Sequence, residues 1–344
     1  MTLPTEPAPP LAPGAGASAE GPGRGPWATA LRRLRRDRSA LLALAVLLLV
    51  VALSLLAPLY AGWLGIDPFR SNLRGEVVVG GEAVPVMAQS TEGLGLGVTP
   101  IGPTWSLQGY ALGADNQGRD VLARLLYGGR NSLLIAGAAT ALCLLLATTV
   151  GLVAGFAGGW VDTVLSRILD VLWAFPVYLL AISLSIVLLT SELTIGPLTV
   201  TAGSLLLPIF IIGVIYVPYV ARPIRAQVLQ LRRSEFVLAA IGLGLPTRRI
   251  LWKDVAPNLV PTLIVFVPIL LALAIATESA LSYLSIGVQP PDASWGTIIQ
   301  DGQGLLYSRP WVALAPGLAI VVTVLALNVL GDAVRDALDV RGHR

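Results

Sequence analysis

The 344 residues include one cysteine (Cys143), one histidine (His343) and one lysine (Lys253). A lone thiol excludes an intrachain disulfide. Cys143 lies inside an apolar run, as a small buried side chain would. His343 sits beside the last residue, far from Cys143, so the two make no metal site. No Ser-His-Asp or Cys-His catalytic set can be assembled around it either. Lys253 follows Trp252 rather than glycine, which removes any G-x-x-x-x-G-K-[ST] phosphate loop. If ATP drives this protein, another chain binds it. Charge is also scarce. Asp, Glu, Lys and Arg make up 12% of the chain, where soluble domains carry about 25%. The formal net charge of +3 is too small to argue for a nucleic-acid partner.

What is plentiful is apolar. The hydrophobic fraction is 55% and the mean hydropathy +0.77, which points to an all-α polytopic membrane protein. Residues 1–26, mostly Pro, Gly and Ala, cannot bury enough apolar surface to order themselves and read as a disordered tail. A basic helix is expected at 27–39. Trp27, Leu31 and Leu34 share one of its faces, and Arg32, Arg33, Arg35 and Arg36 cover the rest. Such a helix suits an anionic membrane surface, or it is a charged flank of the next span. Six windows without charge are long enough to cross about 30 Å of hydrocarbon. They place spans at 40–61, 132–157, 167–190, 197–220, 258–284 and 312–332.

Lys and Arg asymmetry orients the spans. With the N-terminus inside, the cytoplasm receives Arg32 to Arg38, the basic residues between Arg222 and Lys253, and Arg335, Arg341 and Arg344. The outside receives 62–131, where acids balance the arginines. An even number of spans returns the C-terminus to the cytoplasm. Within 62–111, "GEVVVGGEAVPV" carries a Gly80-Gly81 pair between two β-prone arms, a hairpin signal.

The stretch "EFVLAAIGLG" (235–244) lies in the charged segment 222–257, between two apolar spans. Ala239 and Ala240 keep one side of a short helix thin, and Gly244 can end it in a left-handed conformation. A thin helix projecting from the bilayer suits a groove on a cytoplasmic partner, and an ordinary amphipathic loop is the competing reading. Ala239, Ala240 and Gly244, with Pro257-Asn258 downstream, resemble the coupling loop of permease subunits in binding-protein-dependent ABC importers. That pattern has an acidic residue directly before the alanines. Here Leu238 holds that place and Glu235-Phe236 stands earlier, similar to the peptide-permease branch. "LGADNQGRDVLARLLYGGRNSL" (112–133), "ESALSYLSIGVQPPDASWG" (278–296) and "PGLAIVVTVLALNVLGDAVRDALDVR" (316–341) resemble the same branch, in its second-permease type.

The resemblance implies the ABC importer permease fold. Five core spans and a coupling loop would lie within 112–341, after an N-terminal span. It implies half of a translocation pore for peptides or a similar small solute, in a prokaryotic plasma membrane. The chain would not itself be an enzyme. Its partners would be a homologous second permease, two ATP-binding subunits that hold ATP and Mg, and an extracytoplasmic solute-binding protein. The coupling loop would include Glu235, Phe236, Ala239, Ala240 and Gly244.

Polar side chains inside spans are costly and are functional candidates. Glu278 and Asn328 are candidates for the pore or a gate, with a bond inside the bundle as the alternative; Asp170 is read as such a bond. Arg119, Asp120 and Arg124 precede the second span. Asp120 and Arg124 are i,i+4 neighbours in a helix, and the three are otherwise candidates for contact with the binding protein. A stand-alone six-helix secondary transporter is the competing class, but it ordinarily shows broken spans bearing ion-site residues.

Overall fold

The computed structural model describes residues 26–90, 97–190, 193–195, 198–200 and 205–338. The expected tail up to residue 25, Arg341, His343 and Arg344 lie outside them. The chain opens with α1 (Pro26–Arg36), which packs against the last long helix and buries Ala30 while Trp27 and Leu31 stay exposed. Asp37 separates it from α2 (Arg38–Leu55) and caps α2, its carboxylate accepting from the Ser39 and Ala40 N–H groups. After Leu56, α3 (Ala57–Leu64) begins with Pro58 in its first turn.

Two small antiparallel pairs follow. β1 (Glu76–Val79) pairs with β2 (Glu82–Pro85) across Gly80-Gly81, and β3 (Met87–Gln89) pairs with β4 (Val98–Pro100). An isolated hairpin is marginal in water. This one leans on a small core of Val86, Tyr110 and Ala114. The Asn72 amide donates to the Tyr110 hydroxyl at 2.8 Å, and Arg309 Nε donates to the Pro100 carbonyl at 2.6 Å. The segment is thereby tied to the bundle end, called here the hairpin end.

The bundle comprises α4 (Val121–Ala157), α5 (Gly159–Ala174), α6 (Val177–Thr190), α7 (Leu206–Ile215), α8 (Val217–Arg232), α11 (Ala256–Tyr283) and α13 (Trp311–Leu338). A short α10 (Thr247–Ile250) joins α11 through a π-helical turn, Leu251–Val255. α9 (Glu235–Gly242) caps one end of the bundle, and α12 (Trp295–Gly302) lies at the hairpin end. α4 is central and packs on α7, α8 and α11, while α13 packs on α2, α11 and α12.

Four helices are long and apolar enough to cross a membrane: Arg38–Leu55, Val121–Ala157, Thr247–Tyr283 and Trp311–Leu338. Two bent pairs bring the total to as many as six. The expected straight third span, 167–190, is instead broken by 96° between α5 and α6. Pro176 has no N–H and drives the preceding residue out of the helical region; Phe175 accordingly sits at ψ 135. The fourth span does not begin at 197. β5 (Leu193–Ile195) and β6 (Leu198–Val200) pair there, rich in β-branched residues, and helix starts only at Leu206. α7 and α8 meet at a 43° bend and run on to Arg232. Residues 222–232 therefore belong to a spanning helix, and the turn toward α9 starts at Arg233.

Candidate functional site

α9 is amphipathic in an unusual sense, because one apolar side is buried and the other is not. Val237 and Ala240 pack with Val228, Ile250 and Val255 in the core at this end. Phe236, Leu238, Ile241 and Leu243 point outward, Leu243 with 79% exposure. Glu235 and Ala239 are exposed beside them. The helix ends in a paired cap. Gly244 takes φ +71, its N–H bonds to the Ile241 carbonyl at 2.9 Å, and the Leu245 N–H reaches the Ala240 carbonyl at 3.2 Å. A residue with a Cβ pays a steric penalty at that φ. Pro246 then starts the next helix, and the exposed Arg232, Arg233, Arg248 and Arg249 flank the patch.

One of the expected docking residues is misplaced by the sequence reading. Ala240 is 8% exposed and faces the chain's own core, so it is not part of an outer surface. The eight-residue helix turns about 100° per residue, which puts adjacent Ala239 and Ala240 on different sides. The exposed surface consists of Phe236, Leu238, Ala239, Ile241 and Leu243, with Glu235 at the helix start.

The three charged residues at the start of α4 are likewise not where a soluble partner could meet them. Arg119, Asp120 and Arg124 are all buried, as is Asp115. Arg119 Nε bonds to Asp115 at 2.7 Å, and Arg119 and Arg124 both reach one Asp301 oxygen at 2.8 Å. Arg124 Nε lies 3.3 Å from Asp115. Two guanidinium and two carboxylate groups thus form a neutral lattice joining the start of α4 to α12. The expected Asp120–Arg124 pair does not form. Asp120 caps α4, accepting from the Ala123 N–H at 2.8 Å and the Tyr110 N–H at 2.5 Å. Burial pushes its carboxyl above the ordinary carboxylate range, against those backbone donors. Asp115 meets Arg119 across a non-helical turn, and Asp301 lies 182 positions from Arg119, so neither partner carries a helical-spacing signal.

Glu278 does not face a pore in this arrangement. It is fully buried and accepts from Ser132 at 2.8 Å and Ser282 at 2.6 Å. Ser132 in turn accepts from the Trp295 N–H, which links α4, α11 and α12. Gly129 makes this possible, since a Cβ there would sit 2.5 Å from Ser54 Oγ and 3.0 Å from the Trp295 ring. Asn328 is the opposite case, on an exposed face of α13 beside Leu325 and Val329. Asp170 is half exposed and pairs with Arg222 at 2.8 Å, whose guanidinium lies over Trp173.

Residues 147–342 match the family described as "Binding-protein-dependent transport system inner membrane component". Residues 25–73 match the "N-terminal TM domain of oligopeptide transport permease C". The dipeptide transport system permease protein DppC of Alkalihalophilus pseudofirmus is 32% identical over 91% of this chain and 90% of its own length. The oligopeptide transport system permease protein OppC of Bacillus subtilis is 34% identical over 91% and 89%. Among solved structures, an inward-facing form of the MetNI methionine ABC transporter superposes with a TM-score of 0.50 at 16% identity. That match covers 62% of this chain and 96% of the other, and it supports the fold.

Proposed function

Because this chain belongs to the binding-protein-dependent transport permeases, in the peptide branch of the ABC importers, we propose that α9 and its left-handed cap form the surface by which an ATP-hydrolysing subunit moves the spans. As a permease subunit it has its ATPase on a separate chain. The observation that carries this reading is that Phe236, Leu238 and Ile241 of α9 and Leu243 at its cap are exposed apolar side chains around a helix whose Val237 and Ala240 side is sealed into the core. Exposed apolar patches rimmed by charge mark interaction sites. A groove on each ATPase would cover one such exposed apolar end, and closure of two ATPases on ATP and Mg would push it.

The sister permease supplies the other half of the pore. Asn328 keeps its place as a pore or gate candidate, because an amide facing hydrocarbon is costly. The basic residues of 32–38 and 232–253 support placing the α9 end and both termini in the cytoplasm. The hairpin end then receives the solute-binding protein, on exposed surface around β1 and β2 rather than on Arg119, Asp120 or Arg124. The solute is a peptide or a molecule of similar size, as the names of the dipeptide and oligopeptide relatives support.

The test is co-expression with the two ATPases, the sister permease and the binding protein, followed by co-purification and hydrolysis assays. Leu243→Asp should insert normally and lose at least tenfold in retained ATPase or in solute-stimulated hydrolysis. Unchanged assembly and coupling would remove α9 from the transmission path. Stimulation by nickel but not by dipeptides would overturn the solute class alone.

A further inference from the structure

Four helices, α2, α4, α11 and α13, surround a space that none of them fills. α2 packs on α4 and α13, and α11 packs on the same two. Between α2 and α11 remains an apolar slot of about 790 Å³. Leu47 and Val51 of α2, Leu134 of α4, Leu271 of α11 and Leu327 of α13 contribute to its walls. Along α11 it runs from Ile264 to Ile275, about 16 Å at 1.5 Å per residue. That is about half of a 30 Å hydrocarbon core.

One charged residue borders the slot, Arg130 of α4. It lies on the hairpin-end portion of α4, just before the long charge-free run that starts at Asn131. Its side chain is exposed. Among the described residues it makes no ion pair and no hydrogen bond, unlike Arg119 and Arg124 a few residues earlier. A guanidinium beside an apolar slot calls for an anion attached to something apolar. A second helix does not suit the space. Over the slot's own length of about 16 Å, a helix 10 Å in diameter occupies about 1,300 Å³, well above the slot's 790 Å³. A flexible alkyl chain is far thinner.

We propose that this slot is a lipid site, taking one acyl chain of an anionic phospholipid whose phosphate is held by Arg130. The planar guanidinium can give two parallel hydrogen bonds to phosphate oxygens. The alkyl chain completes the packing between the first span and the core. The lipid would then act as a replaceable wedge between α2 and α11. This inference requires only that the chain sits in a bilayer, so it stands or falls separately from the docking role of α9.

The experiment is native mass spectrometry of the full-length chain reconstituted with equimolar phosphatidylglycerol and phosphatidylcholine. The wild type should retain phosphatidylglycerol over phosphatidylcholine by at least fivefold. Arg130→Gln should bring that ratio near one, and Arg130→Lys should restore part of it. Leu271→Trp, which fills the slot without touching the charge, should lower retention of both lipids. Glycerol phosphate, a headgroup without chains, should not displace the bound lipid. A wild-type ratio of one overturns the proposal whether or not any variant folds. Equal ratios in the wild type and Arg130→Gln overturn the role of Arg130. Displacement by glycerol phosphate overturns the role of the slot.

Discussion

At the hairpin end, the charged groups of Asp115, Arg119 and Arg124 are taken out of water and joined to Asp301. At the α9 end, the apolar side chains of Phe236, Leu238, Ile241 and Leu243 are left in contact with solvent. Each choice is unfavourable taken by itself. Burying charges costs several kcal/mol per ion and is repaid only by close, complete pairing. Leaving apolar surface exposed forgoes about 25 cal/mol per Å². The first arrangement fixes α12 to the start of α4 within one chain. The second leaves that stabilisation unrealised within this chain. One end thus pairs its charges within the chain, although Arg124 Nε and Nη1 are left without a hydrogen-bond partner, and the other keeps apolar surface open.

Substitutions should separate the two ends by what they damage. Asp115→Ala should have the largest effect, because it leaves two buried arginines with one acid; breaking a buried pair costs about 3–5 kcal/mol. The expected result is a lower unfolding temperature in detergent and proteolysis near the β3–β4 pair. A wild-type melting curve would show that the lattice is not structural. Ala240→Glu comes next. It places a carboxylate among Val237, Ile250 and Val255, and an unsatisfied buried polar group costs about 1–3 kcal/mol. Reduced membrane levels should accompany any loss of coupling.

Gly244→Val should cost about 1–2 kcal/mol, the penalty of a left-handed residue. That is small for the bundle, so the chain should accumulate normally while solute-stimulated hydrolysis falls. Normal hydrolysis would mean that the cap does not set the direction of α9. Ala239→Glu should have the smallest effect on the fold, within about 0.5 kcal/mol as for most exposed positions, yet still weaken ATPase retention. If Ala239→Glu and Ala240→Glu behave alike, the division of α9 into a sealed and an open side fails.

Features with a local cause were readable from the chain. The Gly80-Gly81 pair specifies its own turn, and Gly244 its own helix end. The long charge-free runs at 132–157, 258–284 and 312–332 became helices because the bilayer leaves the backbone few other options. Pro176 carried a local warning too, yet the run of apolar residues around it favoured one straight span. Features that depend on distant partners were not readable. Glu278 reads as a pore candidate until Ser132, from another helix, is brought to it. Arg124 reads as the partner of Asp120, or with Arg119 as a contact for a binding protein, until Asp301 arrives from α12. The orientation of Ala240 depends on where α8 and the π-helical turn stand.

The helix from Thr247 to Tyr283 is continuous over 37 residues. At 1.5 Å per residue it is about 55 Å long. It starts three residues beyond Gly244 and carries Glu278 near its far end. A rod of that length acts as a lever, so a tilt of about 5° at the α9 end sweeps the other end through roughly 5 Å. The contacts of Glu278 with Ser132, at 2.8 Å, could not survive such a sweep unless α4 travelled with it. Small rotations at one surface are thus magnified into displacements that the opposite surface must either follow or break.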